Sequence, residues 1–551
     1  MEAAQVNWIY ARPVLFSIAI GILSHHLLFI RGEWDRYVAR LFHASICVPG
    51  LIYIVLLVLS SQPALGCLNT TFILNSGYYV GLFSSMLAYR AFFHRLRTFP
   101  GPFGARLTSF WSLQKQAPDM KWYKHVQSLH AEYGDFVRIR PRELSIAHPD
   151  AVQAIHSYNS PCSKGPYYDL YYPRTSLQLL RDKAAHSRRR KMWDRGLGDR
   201  ALRDYEPRVL NHCFELLHLL KSRSSLAQVV DLTPYLSNWG FDVIGDLAVG
   251  QQFNMLKSGG TAQHVLANMS DAKFFQVLLV TAPWLFTLLA RTVPYAKRKR
   301  ERWIQWCQAI FLERKEHKSG SSDMFSHLVD ADSQKSTGPQ LDFGSLVYDT
   351  ELAIFAGSET SSGALGGAVF LLATHPNILT ELYEELHDVD LQMLSQKSLV
   401  RRPMLDGVIN EALRLFPPVP SGLCRLTPPE GAVIAGQWIP GDVIVSTPTY
   451  TLARDTRCFS KPDDFLPERW SSRPDLILRK DAFVPFSAGT YSCAGKQLAM
   501  LELRLMLALL VKTFDIRMGG EEAVKLFSEC PGPRDAFTMD MPPLRVLLSP
   551  R

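Results

Sequence analysis

Three apolar runs in the first ninety residues, Pro13 to Ile30, Leu41 to Ser60 and Phe72 to Tyr89, limit the fold more than any other stretch of the chain. Each is near the roughly 20 residues a helix needs to cross a bilayer. Inside hydrocarbon every backbone polar group must be satisfied within its own segment, so such runs fold as helices. A cleavable signal peptide would show a single run and a small-residue cleavage site, which this pattern excludes. The loop Arg31 to Arg40 carries Arg31, Arg36 and Arg40, whereas the loop Gln62 to Thr71 has no charge. Positive charge stays on the cytosolic side, so the first loop is expected in the cytosol and the second in the lumen. A third crossing returns the chain to the cytosol, where Arg90, His94, Arg95 and Arg97 follow. His25 and His26, Pro49 and Asn75 each interrupt one run, and this leaves an interfacial position open for one or two of the three. Residues 1–98 therefore read as a membrane anchor. The sequon at Asn69 falls on the lumenal side, and the one at Asn268 on the cytosolic side, where it stays unmodified.

The stiff turn Phe99-Pro100-Gly101-Pro102-Phe103-Gly104 separates this anchor from the rest. Residues 99–551 show no repeat, linker or shift in composition, and read as one large, mainly α domain with small β-sheets. Nine cysteines without regular spacing in a cytosol-facing domain argue against a disulfide framework. No Cys-x-x-Cys or His-Glu-x-x-His pattern offers a competing metal site. The net charge of +9 is dispersed, with no nucleic-acid recognition motif, and suits anionic lipid and an acidic electron donor better than nucleic acid. The run Lys297-Arg298-Lys299-Arg300 is expected near the membrane surface.

Four segments carry chemistry. The loop Phe486-Ser487-Ala488-Gly489-Thr490-Tyr491-Ser492-Cys493-Ala494-Gly495 precedes a helix-forming run from Lys496. It can hold a thiolate at a helix N-terminus, where backbone N–H groups and the helix dipole stabilise it. An apolar helical run from Leu352 to Thr374 places Glu359 and Thr360 in a setting where a carboxylate and a hydroxyl are costly without a task. Gly357, Gly363, Gly366 and Gly367 in the same helix admit either close helix packing or close approach of a flat ligand. Glu411 and Arg414 share a face at i, i+3 in an otherwise apolar helix halted by Pro417 and Pro418, with a possible further partner in Phe465-Leu466-Pro467-Glu468-Arg469-Trp470. His186 and Arg190 share a face at i, i+4 in the basic segment Asp182 to Trp193.

The pattern Phe-x-x-Gly-x-x-x-Cys-x-Gly, from Phe486 through Gly489 and Cys493 to Gly495, resembles the haem-ligating loop of the cytochrome P450 superfamily. The other motifs follow that family's order from Phe99 onward, and membrane-bound fungal members of secondary-metabolite pathways are the most similar in kind. The resemblance implies the P450 fold, with haem b between a long central helix and the ligand loop. It implies Cys493 as axial iron ligand, Glu359 and Thr360 as the acid and alcohol that relay protons, and Glu411, Arg414 and Arg469 as a buried structural triad. It implies a monooxygenase that oxidises a lipophilic small molecule with O2, in the endoplasmic reticulum membrane. Electrons are expected from NADPH through a separate cytochrome P450 reductase. An O2-independent haem-thiolate isomerase or dehydratase, and a non-catalytic haem protein, are the competing readings, and the acid-alcohol pair disfavours both.

The chain departs from the family at Tyr491, where an Arg or His usually pairs with a haem propionate. A phenol donates one hydrogen bond but has no charge at neutral pH. His186, Arg190 and Arg425 are expected to compensate. The apolar stretch Phe274 to Ala290, broken at Pro283, is expected to form two short helices that dip into the bilayer and roof a substrate channel. The pocket is expected from Tyr167 to Thr175, the roof from Phe274, Ile354 to Thr360, Pro418 to Leu423 and Arg534 to Met539.

Overall fold

A computed structural model describes residues 2–173, 175–224, 228–258, 281–316, 323–327 and 343–551. Asn268 and the part of the expected roof before Thr281 lie outside these residues.

The N-terminal segment is a helical hairpin joined to a third helix: α1 (Glu2–Ser24), α2 (Val38–Leu59) and α3 (Ala64–Ala88). Two stretches are long and apolar enough to cross a membrane by length and composition: Arg12–Phe29, with mean hydropathy 1.4, and Asp35–Leu59, with 2.3. The third expected run forms α3, which packs along α1. The contact is glycine-dependent. A Cβ at Gly81 would lie 2.1 Å from the Ile18 carbonyl oxygen, one at Gly21 2.1 Å from that of Tyr78, and one at Gly77 2.2 Å from Ser17 Oγ. Gly77-x-x-x-Gly81 thus faces Ser17-x-x-x-Gly21, the small-residue spacing that lets membrane helices approach closely. His25, which interrupts the first apolar run, is buried, its Nδ1 2.9 Å from Ser85 Oγ of α3.

Four-fifths of the chain then builds a mainly helical domain. Its axis is α9 (Phe343–Thr374), a 32-residue helix that ends before Pro376, as the proline requires. Around it pack α4 (Lys183–Gly196), α5 (Asp199–Ser224), α6 (Thr233–Val249), α7 (Pro283–Thr292), α8 (Pro294–Glu316), α10 (Pro403–Leu415) and α11 (Lys496–Thr513). Ile354, Leu365 and Leu372 of α9 and Leu501, Leu505 and Leu509 of α11 are fully buried in one core. The glycines of α9 serve this packing. A Cβ at Gly357 would meet Ile244 of α6 at 2.5 Å, and one at Gly367 would meet Phe416 at 3.1 Å. Of the two uses open to them, helix packing is the one observed at these positions.

The sheets are small. A four-stranded sheet runs β1 (Phe136–Arg140), β2 (Glu143–Ile146), β7 (Ile444–Ser446) and β4 (Arg425–Leu426), with β2 and β7 parallel. A second joins β3 (Val230–Asp231), β11 (Arg545–Pro550) and β8 (Phe514–Met518). Two hairpins, β5 (Ala432–Ile434) with β6 (Gln437–Ile439) and β9 (Arg534–Ala536) with β10 (Thr538–Asp540), complete the set. At the tip of the latter Phe537 adopts φ 75° and stacks on Tyr167, with centroids 5.5 Å apart.

The run from Lys297 to Arg300 is divided in α8. Lys297 and Arg298 are exposed, but Arg300 turns inward: its Nη2 donates to Glu351 Oε2 of α9 at 3.0 Å, and its guanidinium lies 4.1 Å from the Tyr171 ring. Of this run, Arg300 is therefore spent on a contact within the domain. An apolar helix carrying Glu351 needs a buried cation, and Arg300 meets that need.

Candidate active site around Cys493

The loop before α11 is fixed by its own backbone. Ser487 and Gly489 take left-handed φ of 58° and 64°, a tight turn covers Gly489–Tyr491, and the Cys493 N–H donates to the Phe486 carbonyl at 2.8 Å. A side chain at Gly489 would lie 2.2 Å from the His156 carbonyl oxygen, so only glycine fits. At Gly495 a Cβ would approach only Cys493 Sγ, at 3.9 Å, so this glycine leaves the space beside the sulfur clear.

Burial pushes the Cys493 thiol up, and the N–H of Gly495, the Arg190 guanidinium and the N–H of Lys496 pull it back. Cys493 nevertheless keeps accessible surface. Cys493 stands three residues before Lys496, where α11 begins, at a helix N-terminus as the sequence suggested.

On α9 a stripe of accessible surface interrupts an otherwise buried helix. Ala356 is exposed, and Glu359, Thr360 and Gly363 are half-buried between buried Ile354, Ser358, Ser361 and Ala364. Thr360 Oγ1 donates to the Ala356 carbonyl at 2.7 Å. Glu359 Oε2 accepts from Thr538 Oγ1 at 3.1 Å, which ties the central helix to the β9–β10 hairpin. Beside them, Ser361 donates to Glu502 of α11, and burial pushes that carboxyl up to about 8.

The triad residues meet with no exposure. Arg414 Nε donates to Glu411 Oε1 at 2.7 Å and its Nη2 to Oε2 at 2.8 Å, while Arg469 Nε lies 3.0 Å from Oε1. The last contact is an ion pair whose angle falls short of a hydrogen bond, leaving Arg469 Nε without a bonded acceptor. Trp470 Nε1 and the Leu466 N–H add bonds to Glu411, each 3.0 Å. Glu411 thus has four neighbours, enough to hold a charge in the interior.

The expected propionate residues converge on Tyr491. His186 is 3% exposed, with its ring 4.8 Å from that of Tyr491, and the Arg425 guanidinium is 5.0 Å from the same ring. Arg190 is differently engaged, its Nε donating to Asp194 Oδ1 at 2.7 Å and its Nη1 to the Ser492 carbonyl. It braces the ligand loop. Missed by the sequence reading are Lys164, whose Nζ lies 4.5 Å from the Tyr491 centroid, and the buried pair Arg189–Asp349, 2.6 Å apart between α4 and α9. In the basic segment Arg189 stands at i+3 from His186, a same-face spacing as good as the i+4 of Arg190, and it is the buried one of the two.

Tyr491 Oη, His186 Nδ1 and Arg425 Nε are buried and lack partners among the described residues. Neighbouring cations with orphaned donors ask for an acidic group, and the thiol beside them suits iron. Haem, whose propionates would meet these donors and whose iron would take the Cys493 sulfur, fits this donor set.

A separate cavity of about 1020 Å³ lies between the N-terminal helices and the domain. Tyr78 and Met86 line it from α3, and Tyr167, Cys424 and Phe537 from the domain. Four of the five expected pocket segments reach it, and Ile354 to Thr360 does not; Cys493 and Thr360 are not in its lining.

A family model for Cytochrome P450 matches residues 100–547. The chain is 38% identical over 540 residues to Cytochrome P450 monooxygenase nodW of Hypoxylon pulicicidum, covering 97% of each. It is 37% identical to Cytochrome P450 monooxygenase FCK2 of Fusarium pseudograminearum, covering 98% of each. Similarity to Tryprostatin B 6-hydroxylase of Aspergillus fumigatus is 34% identity over 92% of this chain and 91% of that one. With the thiol at a helix N-terminus, the buried triad and the cationic cluster already in place, the chain belongs to the cytochrome P450 family and is a haem-dependent monooxygenase supplied with electrons by a redox partner.

Proposed function

We propose that this enzyme hydroxylates a lipophilic small molecule as a tailoring step in fungal secondary metabolism, with Cys493 as iron ligand and Thr360 and Glu359 as proton-handling residues. The observation that carries the reading is the exposed Cys493 thiol at the N-terminus of α11, in the loop whose Tyr491 is flanked by the buried cations Lys164 and Arg425. Haem bound there supplies the oxygen chemistry: with O2, two electrons and two protons, one oxygen atom enters a substrate C–H bond and the other leaves as water. Cys493 would hold the iron as a thiolate, since a metal deprotonates the thiol that coordinates it, and would tune that chemistry. Thr360 keeps its hydroxyl lone pairs free to accept a proton bond while donating to Ala356 O. Glu359 sits one residue away, held toward the β9–β10 hairpin by Thr538. Such a pair moves protons by general acid–base chemistry, contributing about 10²-fold or more.

Residues 1–98 are read as the membrane anchor, with α3 as the third crossing, and 99–551 as a catalytic domain on the cytosolic face of the endoplasmic reticulum. The basic loop between α1 and α2 supports this, since its Glu33 and Arg36 pair with Arg181 and Asp169 of the domain. The cavity between anchor and domain favours a lipophilic substrate, and one relative is by name a hydroxylase. NADPH, through a cytochrome P450 reductase, is the proposed electron source. The test is a reduced-CO difference spectrum followed by turnover with and without NADPH, reductase and O2. A thiolate-type band without oxygen-dependent product from any lipophilic panel would overturn the hydroxylase reading.

A further inference from the structure

Lys164 is 3% exposed and no ion pair reaches it among the described residues. Its Nζ donates to the carbonyls of Gln178 at 2.6 Å and Leu177 at 3.3 Å, and lies over the rings of Tyr491 at 4.5 Å and Tyr168 at 5.2 Å. Its backbone is pinned beside Arg425. The Ser163 N–H donates to the Leu426 carbonyl at 2.9 Å, and the Leu426 N–H returns the bond at 2.7 Å. Arg425 is itself 1% exposed and donates only to neutral oxygens, Tyr168 Oη and the Cys424 carbonyl, both at 2.9 Å. Two cations buried side by side, with His186 as a third basic group, repel one another and lose their hydration. Burial and Arg425 hold Lys164 well below its ordinary value, and burial, Lys164, Arg190 and Arg425 bring His186 down to about 3. Such a cluster is stable only with anions in it.

We propose that Lys164 supplies, from the segment bridged to β4 through Ser163 and Leu426, the positive charge missing at Tyr491, and that its ammonium holds a haem propionate together with Arg425 and the Tyr491 hydroxyl. The cation–π contact positions the ammonium over the phenol. Tyr491 then contributes a hydrogen bond and a flat surface, and the charge comes from a side chain more than 300 residues earlier. Arg190 has no part in this, because Asp194 and the Ser492 carbonyl occupy it. The proposal rests on the haem-thiolate reading of Cys493.

The experiment measures haem transfer from the purified holoenzyme to excess apomyoglobin, for the wild type, K164M, K164R, Y491F and K164M/Y491R. Loss from K164M is expected to be about tenfold to hundredfold faster, the size of one hydrogen bond to a charged group. K164R stays near the wild type, Y491F changes less than K164M, and K164M/Y491R recovers most of the loss, since it restores the charge by another route. Retention in K164M within twofold of the wild type overturns the proposal. Should K164M not accumulate, haem content at expression replaces the rate: loading of K164M/Y491R supports the proposal, and an empty K164M/Y491R beside a loaded K164R overturns it. Absence of the thiolate-type CO band from the wild type would instead remove the Cys493 reading itself.

Discussion

Arg181 grips Glu33 with both guanidinium ends, Nη1 to Oε2 at 2.6 Å and Nη2 to Oε1 at 2.9 Å, across 148 residues of chain. The same guanidinium reaches Asp169, which Arg36 also holds at 2.8 Å, and its Nε donates to the Lys164 carbonyl at 2.9 Å. The loop between α1 and α2 is thereby clamped to the helical domain next to the cluster around Tyr491. Burial pushes the Glu33 carboxyl up, but the Arg181 hydrogen bond and charge, with Arg142 and Arg36, hold it below its ordinary value. Glu33→Gln keeps the shape and removes the charge. It should speed tryptic cleavage at Arg31 and Arg36 in membranes by about tenfold, as expected for one charged hydrogen bond. Cleavage at the wild-type rate would show that the loop is held by other means.

Gly81→Leu tests the helix pair. With the Ile18 carbonyl 2.1 Å from the position of a Cβ, the side chain must force α1 and α3 apart. A cysteine pair at Ser17 and Gly77, oxidised in membranes, should crosslink readily in an otherwise wild-type chain and several-fold less in the Gly81→Leu background.

Glu502 predicts a pH dependence. Its carboxyl rises from 4.5 to about 8 on burial, so between these values the folded state binds a proton that the unfolded chain has lost. The folded state is then progressively less favoured as pH rises through this window, and the penalty is complete above about 8. Glu502→Gln retains the partner for Ser361 and cannot ionise. Its melting temperature should lose this downward slope between pH 5 and 8 and exceed that of the wild type at pH 8. Parallel slopes in the two proteins would exclude Glu502 as the source.

Removing Glu411 leaves Arg414 and Arg469 buried without a carboxylate. Glu411→Ala should cost about 3–5 kcal/mol, the usual penalty for breaking a buried ion pair from one side. Expressed protein should hold little haem and show a weak CO band. Glu411→Asp, which keeps the charge, should recover part of both.

Thr360→Ala separates proton handling from iron ligation. Turnover should fall about 10²-fold with the thiolate-type CO band intact. Loss of the band would place Thr360 in the support of the haem pocket.

By itself the sequence determined what local rules govern: the apolar anchor runs, the proline-stopped helix ending at Thr374, the helix start at Lys496 and the thiol before it. These depend on spacing within one element, where hydrophobic period, prolines and glycines act directly. Spacing also put Glu411 and Arg414 on one face, while the addition of Arg469 came from the family resemblance. Tertiary structure alone decided which charges meet over long separations. Lys164 over Tyr491, Arg181 on Glu33, Arg189 on Asp349 and Arg300 on Glu351 join elements whose mutual approach no local pattern encodes. The glycines of α9 show the same division: their cost in a helix was legible, but whether a ligand or Ile244 and Phe416 filled the space followed only from how the helices packed.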